Sequence, residues 1–333
     1  MVTRTEVARR AGVSVGTVSN VMNNKSFVRP ELVRRVRQAI EELNYVPDSN
    51  AKSLARRRSN HIGIAVYEMT NPYHAEVIAG LEEYVAERGY MVTTFLLDNA
   101  SYKKYDEICE RRLDGLVNFM TNDLPRNFIE ELKRQSTVLV NFNPDISFII
   151  VNDYAEAQRR YMEILRDYGH KNVGYLCSCD SIRFHLDLRG KTFLEERERC
   201  GFNCDDTLIM NNENYSLRSE VIGYELCKKM LDIHPEVTAL FATNDLVALG
   251  AMHRLNEMGL SCPRDVSVIG CDDIFLGEYF NPPLSTISFD KRKYGGDIGK
   301  MIIEKIENPE REYETQFVPM HVKMRESVAK ARK

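Results

Sequence analysis

From Ile62 onward the chain alternates short apolar runs with helix-length stretches, and this alternation constrains the fold more than any other feature. Residues 62–67, 90–97, 115–120, 138–141, 173–177, 239–242 and 266–269 each read as a short apolar strand. Helical stretches separate them at 72–88, in a short segment ending at Arg112, and near 154–168, 187–200, 219–232 and 245–258. Strands that are apolar throughout, separated by helices, predict parallel sheets built from strand–helix–strand units. About a dozen strands are expected in all, too many for one lobe. The body is therefore read as α/β, with two doubly wound parallel-sheet lobes. Ligands in such sheets bind beyond the carboxyl ends of the strands, so two facing lobes enclose a cleft. A length of 333 residues suits this body plus one small module.

The small module lies at the N-terminus and reads as a helix-turn-helix. Thr3 and Glu6 have the spacing of a capping box, in which each side chain satisfies a backbone donor at a helix start. Val7, Ala8 and Ala11 form the inward stripe of the first helix. Gly12 supplies the turn, Val13 packs across it, and Ser14 caps the second helix. Val18 and Val21 bury that helix and leave Val15, Gly16, Thr17 and Asn20 facing outward. A third helix, about 30–43, carries Leu32, Val33, Val36, Ile40 and Leu43 on one face, and Tyr45-Val-Pro47 closes the all-α head. Taken alone, such a unit is either a structural hairpin or a reader of DNA.

Charge separates these two readings. Residues 1–60 hold twelve Lys/Arg and five Asp/Glu, a net +7; with −4 on the whole chain, the other 273 residues carry −11. A basic head attracts phosphates through counterion release, while an acidic body repels them. Between the two lies Asp48-Ser-Asn-Ala-Lys-Ser-Leu-Ala-Arg-Arg-Arg58, whose one large apolar side chain is Leu54. Two readings of this segment stand: a solvated basic linker, or a helix that folds on DNA and wedges Leu54 into the minor groove. None of the eight cysteines has the pairing and His partners of a zinc site, so neither metal nor cofactor is expected. No apolar stretch approaches the roughly 20 residues that span a membrane. No signal peptide precedes the head, and a cytoplasmic location is expected.

The chain resembles the lactose/galactose repressor family of bacterial transcription regulators over residues 3–327. The resemblance rests on an ordered set of stretches. In the head these are Glu6-Val-Ala-Arg-Arg-Ala-Gly-Val-Ser14, Thr17-Val-Ser-Asn20 and Ala39-Ile-Glu-Glu-Leu-Asn-Tyr-Val-Pro47. In the body they are Asn71-Pro-Tyr73, Asp114-Gly115, Tyr168-Gly-His170, Thr243-Asn-Asp245, Asp265-Val-Ser-Val-Ile-Gly-Cys-Asp-Asp273, Pro283-Leu-Ser-Thr286 and Arg325-Glu-Ser327. The resemblance implies a DNA-binding domain at 1–47, a hinge at 48–59 and an effector-binding, dimerising body at 60–333 that is similar to periplasmic binding proteins. Lobe 1 is expected at about 60–152 and 290–318, and lobe 2 at about 153–289 and 319–330. It further implies a homodimer whose heads read successive major grooves of a near-palindromic operator. Val15, Gly16, Thr17 and Asn20 would face bases, with Asn20 suited to adenine. Thr5, Ser14 and Ser19, and Thr17 as well, would touch phosphates. Leu54 takes the place of the family's minor-groove leucine. With no leucine heptad at the C-terminus, a dimer is expected rather than a tetramer.

The same resemblance places a small-molecule effector, most simply a sugar, between the lobes. Tyr73, Phe119, Thr121 and Asn141 would line the first lobe, and Tyr215, Asn244 and Asp272 the second; aromatic faces stack on a sugar ring while Asn and Asp fix its hydroxyls. Relatives commonly carry arginine three residues before the glycine that stands here at Gly190, and this chain has Asp187. A buried anion needs a partner. Either Arg183 or Arg189 supplies the cation, or the effector is itself an amine, or the site has lost its ligand. Whether the effector induces or corepresses is open. An enzyme is not expected: there is no phosphate-binding glycine loop or nucleophile elbow, and Asp272 and Asp273, adjacent at a strand end, point to opposite faces. The rival reading is a solute-binding receptor, or a regulator without an effector.

Overall fold

Three short helices build the N-terminal unit, and each begins where the sequence supplies a stop for the preceding chain. In the computed structural model, all residues are described except 1, 24, 26, 46–57, 98–101, 120–123, 142–149, 215–216, 312–315 and 333. Helix α1 (Arg4–Ala11) opens on a complete Thr3/Glu6 capping box: the Thr3 N–H donates to Glu6 Oε2 at 2.7 Å, and the Glu6 N–H donates to Thr3 Oγ1 at 3.3 Å. Gly12 ends it in the left-handed region at φ 64°, where a side chain is strained. Helix α2 (Val15–Met22) starts on Ser14, whose Oγ accepts from the Thr17 N–H at 3.1 Å. Helix α3 (Pro30–Glu42) begins with proline in its first turn. Val7, Ala8, Ala11, Val18, Val21, Val36, Ala39 and Tyr45 form one buried cluster. Arg35, on the polar side of α3, reaches across to donate to the Ala11 and Gly12 carbonyls, both at 3.0 Å, and ties α3 to the turn.

The chain divides into two compact units, Met1–Ser59 and Asn60–Lys333. The second unit alternates strands and helices. Its first part runs β1 (His61–Val66), α4 (Pro72–Ala86), β2 (Met91–Leu96), α5 (Tyr102–Glu110), β3 (Gly115–Asn118), α6 (Arg126–Arg134), β4 (Val138–Asn141) and β5 (Ile150–Asp153). It continues with α7 (Ala155–Asp167), β6 (Val173–Cys177), α8 (Ser181–Leu186), α9 (Leu188–Arg199), β7 (Ile209–Asn211), α10 (Ser219–Ile233), β8 (Ala239–Ala242), α11 (Asp245–Glu257) and β9 (Ser267–Ile269). The chain ends with α12 (Phe275–Tyr279), β10 (Thr286–Ser288), α13 (Lys291–Glu307), β11 (Gln316–Pro319) and β12 (His321–Lys323).

Two all-parallel sheets result, ordered β2-β1-β3-β4 and β7-β6-β8-β9. Their central strands are buried along nearly their whole length, which is why they read as continuous apolar runs. Two short pairings accompany them: β5 with β11 in parallel, and β10 with β12 antiparallel. Tyr161 on α7 fastens the second pairing, donating its hydroxyl to the Thr286 and Lys323 carbonyls at 2.8 and 2.9 Å.

Several motif stretches turn out to hold this architecture together. Ser327 donates to the Val268 carbonyl at 2.6 Å and accepts from the Ser285 N–H at 2.8 Å. Arg325 joins Asp273 at 2.6 Å and the Leu284 carbonyl at 2.8 Å. His170, buried, lies 2.8 Å from Thr238 Oγ1 and 2.9 Å from the Ala329 carbonyl. Helix α13 is not legible in the sequence because Gly295-Gly296 looks like a break. In the fold, Gly295 lies against the Val77 backbone carbonyl of α4, where any side chain would collide. The helix tolerates these glycines because close packing with α4 compensates for their weak helix propensity.

Candidate functional site

The outward face of α2 is the first candidate. Val15 is 42 % exposed, and Gly16, Ser14 and Thr5 are exposed. Thr17, Ser19 and Asn20 are half-buried on the same short helix. Ser14 and Thr17 lie 2.9 Å apart through their hydroxyls, so both side chains are partly engaged in starting the helix. The last turn of α1 carries Arg9 and Arg10, and Arg10 pairs with Glu42 of α3. Leu54 lies outside the described residues.

The second candidate gathers at the carboxyl ends of the strands. From the first sheet come Tyr67 and Glu68, just after β1, Tyr73 and His74 at the start of α4, and Phe119 just after β3. Their rings form a connected group. Tyr73 and Tyr67 each meet His74 edge-on at 5.3 Å, and His74 lies 6.0 Å from Phe119. Tyr73 is oriented by Asn71, whose Oδ1 accepts from the Tyr73 N–H at 3.0 Å. His74 sits 2.8 Å from the Glu68 carbonyl, and burial holds its imidazole below the usual range, so it is neutral.

From the second sheet come Asn244 after β8, Asp272 after β9, and Asp187 and Arg189 at the start of α9. Asp187 is the N-cap of α9 and accepts from the Arg189 backbone N–H at 2.8 Å. It also takes a two-pronged contact from the Arg189 guanidinium, with Nε to Oδ1 at 3.0 Å and Nη2 to Oδ2 at 2.6 Å. Burial alone would raise the Asp187 carboxyl, but the Arg189 charge and hydrogen bonds outweigh it and hold the group below the carboxylate range. The anion at position 187 therefore has its cation two residues away. Arg183 instead pairs with Asp180 at 2.8 Å. Arg189 also donates to the Thr243 carbonyl at 2.8 Å and lies over the Tyr154 ring at 5.2 Å.

Asn244 is buried and uses Oδ1 to cap α11, accepting from the Val247 N–H at 2.9 Å. Asp272 is 6 % exposed, and its φ of 118° lies where side chains are rarely found. Lys291 reaches the Asp272 and Asp273 carbonyls at 2.9 and 2.8 Å, and the carboxylate it pairs with is that of Glu76, at 3.7 Å. Burial first, and then the neighbouring Asp245 charge, push the Asp272 carboxyl well above its ordinary range, against the pull of Arg189 and Lys291. Asp273 diverges from it: Ser288, Arg325 and Lys323 outweigh burial and keep it ionised. Burial first, and then the Tyr294 and Asp272 charges, push the phenol of the half-buried Tyr73 well above its ordinary range against the pull of Arg189, so charges from the second sheet reach a ring of the first. Thr121 and Tyr215 lie outside the described residues, as does the side chain of Asn141, although its backbone pairs with Asn118 at the end of β3.

Sequence reading did not find Tyr67, His74, Tyr154 or the bridge from Glu68 to Ser219. The Ser219 hydroxyl, at the start of α10, donates to Glu68 Oε2 at 2.9 Å across 151 residues of chain, and both residues are buried. No spacing rule connects such a pair. A separate cavity of about 650 Å³ lies between α5 and α6, lined by Tyr105, Cys109, Phe128 and Glu131, beside the chain that enters β3 and β4.

Among the described residues no cluster of three or more His, Cys, Asp or Glu could hold a metal ion, and no helix is long and apolar enough to cross a membrane.

Comparison with known proteins follows the same division. Residues 3–48 match the bacterial regulatory proteins of the lacI family, and residues 162–328 match the periplasmic binding protein-like domain. The chain is 34 % identical over 346 residues to the HTH-type transcriptional repressor PurR of Vibrio parahaemolyticus, covering 99 % of each. It is 32 % identical over 337 residues to PurR of Vibrio atlanticus, covering 96 % of each. Its fold is similar to that of the lac repressor dimer bound to operator and the anti-inducer ONPF, with a TM-score of 0.81 at 24 % identity over 98 % of this chain and 99 % of that one. It is also similar to the regulator CelR in complex with cellobiose, with a TM-score of 0.70 at 23 % identity over 98 % of this chain and 100 % of that one. The helix-turn-helix, the two parallel sheets and the full-length relatives converge: the chain belongs to the lacI family of bacterial regulatory proteins and is a DNA-binding repressor governed by an effector.

Proposed function

We propose that the effector is a neutral or amine-bearing sugar held between the two sheets of the body, and that it sets the affinity of the head for an operator. The observation that carries this reading is Asp272, a buried carboxyl at the meeting point of the sheets that Lys291 leaves without an ion pair. A sugar would present it with hydroxyl donors or an ammonium group, which relieves the cost of burying a polar group. Arg189 is already committed to Asp187 and Thr243, which argues against a phosphate or carboxylate ligand. Tyr73 and Phe119 would stack on the ring, with Thr121, Asn141 and Tyr215 beside them. The Asn244 Nδ2, not needed for capping, would donate to a ring hydroxyl. The complexes of family members with cellobiose, ribose and lactose support a sugar as the ligand class.

In the head, Val15, Gly16, Thr17 and Asn20 would read bases, and Thr5, Ser14 and Ser19 would hold phosphates, with Leu54 as the minor-groove wedge. The chain acts as a cytoplasmic homodimer without catalytic activity. Residues 1–47 form the reader, 48–59 the hinge and 60–333 the sensor. Lobe 1 comprises about 60–152 and 290–318, and lobe 2 about 153–289 and 319–330. The effector moves the equilibrium only through its different affinity for the two states. Titration calorimetry of the full chain against neutral, amino and phosphorylated sugars tests the ligand class. Binding confined to neutral or amino sugars is expected; binding confined to acidic sugars overturns it.

A further inference from the structure

Two of the eight cysteines stand apart from the rest. Cys177 closes β6 and Cys179 follows two residues later, with their Sγ atoms 3.1 Å apart. That is about 1 Å longer than a disulfide bond of about 2.05 Å. A regular strand would keep residues i and i+2 nearly 7 Å apart at Cα; here the chain bends at Ser178 and Cys179. The bend is pinned on both sides. The Ser178 N–H donates to Thr243 Oγ1 at 3.2 Å, the Asn212 N–H donates to the Cys179 carbonyl at 3.0 Å, and Asn212 Nδ2 donates to the Ser178 carbonyl at 3.3 Å. Cys177 is 2 % exposed, whereas Cys179 is only half-buried. Among the described residues no other sulfur pair is in contact.

We infer that Cys177 and Cys179 form a reversible thiol-modification site on the cleft wall that takes small-molecule disulfides and closes to an intramolecular disulfide. Cys179, the accessible sulfur, passes its proton to Cys177 across the 3.1 Å contact and attacks one sulfur of the small disulfide, whose S–S bond breaks and releases a small thiolate. Cys177, losing its proton to solvent, then attacks Cys179 Sγ and expels the second small thiolate. The two cysteines are oxidised, the small disulfide is reduced to two thiols, and the two protons end on those thiols. The hydrogen bond between the sulfurs draws the Cys177 thiol below its ordinary range and pushes Cys179 above it, so the singly ionised pair shares one proton. The end of the neighbouring strand β8 leads into Thr243, whose Oγ1 accepts from Ser178 and whose carbonyl holds Arg189, so closure of the ring alters the wall where a ligand would lie.

The test uses the full chain and oxidised glutathione as the probe, followed by alkylation and trypsin. Cleavage after Lys171 and Arg183 releases residues 172–183, which contain these two cysteines and no others. The expected product is a 172–183 peptide two hydrogens lighter, carrying neither alkyl group nor glutathione, in most molecules. It should regain two alkyl groups after reduction. Cys177→Ser should retain a single glutathione on Cys179. A doubly alkylated wild-type peptide, a glutathione adduct that persists on it, or a disulfide to a different peptide would each overturn the inference. The wild-type result decides by itself if the variant does not fold.

Discussion

At the scale of residues, three carboxyls, Asp187, Asp272 and Asp273, behave in two ways, and their partners decide which. Asp187 is ionised because Arg189 grips it; Asp273 is ionised because Arg325 and Lys323 surround it. Asp272 has neither arrangement, and burial pushes its carboxyl well above the ordinary range. Asp272→Ala should weaken sugar binding by calorimetry roughly threefold to tenfold, the size expected for a hydrogen bond between uncharged groups at about 0.5–1.5 kcal/mol. An affinity within twofold of wild type would contradict the assignment. Asp245 is pushed up to about 7 from 3.8, mainly by burial, although Thr286 and the Ile274 N–H donate to it. The folded chain thus keeps a proton that the unfolded chain releases. The associated stability is full below about pH 4 and lost as pH rises through about 7. Asp245→Asn should flatten the fall in denaturation midpoint across that window; an unchanged slope would show that the carboxyl ionises normally. The identities of these residues were legible in the sequence, but their partners were not. Asp187 read as an anion in place of a cation because its arginine stands two positions later, on the far side of a helix cap.

At the scale of elements, capping and glycine placement explain most boundaries. The capping box at Thr3, the turn at Gly12 and the cap at Ser14 made α1 and α2 legible to within a residue, because local hydrogen bonds fix those ends. The long buried strands were equally legible, because apolar residues face both sides of each sheet. Short pairings such as β10 with β12 were not, since three residues carry no period. Helix pairs packed through glycine form a further class. On α10 and α11, a Cβ at Gly223 would strike the Val247 carbonyl, and one at Gly250 the Glu220 carbonyl. Gly250→Ala should therefore cost about 1–3 kcal/mol by overpacking, read as a lower Tm, despite its better helix propensity. A raised Tm would show that the helices can separate freely.

At the scale of the whole molecule, charge and the cross-sheet bridge matter most. A +7 head on a chain of net −4 concentrates phosphate affinity in the first 60 residues. Across the body, the Glu68–Ser219 hydrogen bond joins the loop after β1 to the start of α10, so it reports how the two sheets are closed together. Ser219→Ala leaves a buried carboxylate oxygen short of a donor and should lower stability by about 1–3 kcal/mol in chemical denaturation. A midpoint equal to wild type would mean that water replaces the hydroxyl. The same arrangement makes the body a sensor only if its ligand changes what the head does. The most direct test is fluorescence anisotropy of the full chain on an operator selected from random DNA, at fixed salt, with and without a saturating sugar found by calorimetry. A change in operator Kd of at least about fivefold is predicted, the lower end of typical coupling between sites. An operator Kd unmoved by a ligand that demonstrably fills the cleft would contradict the account.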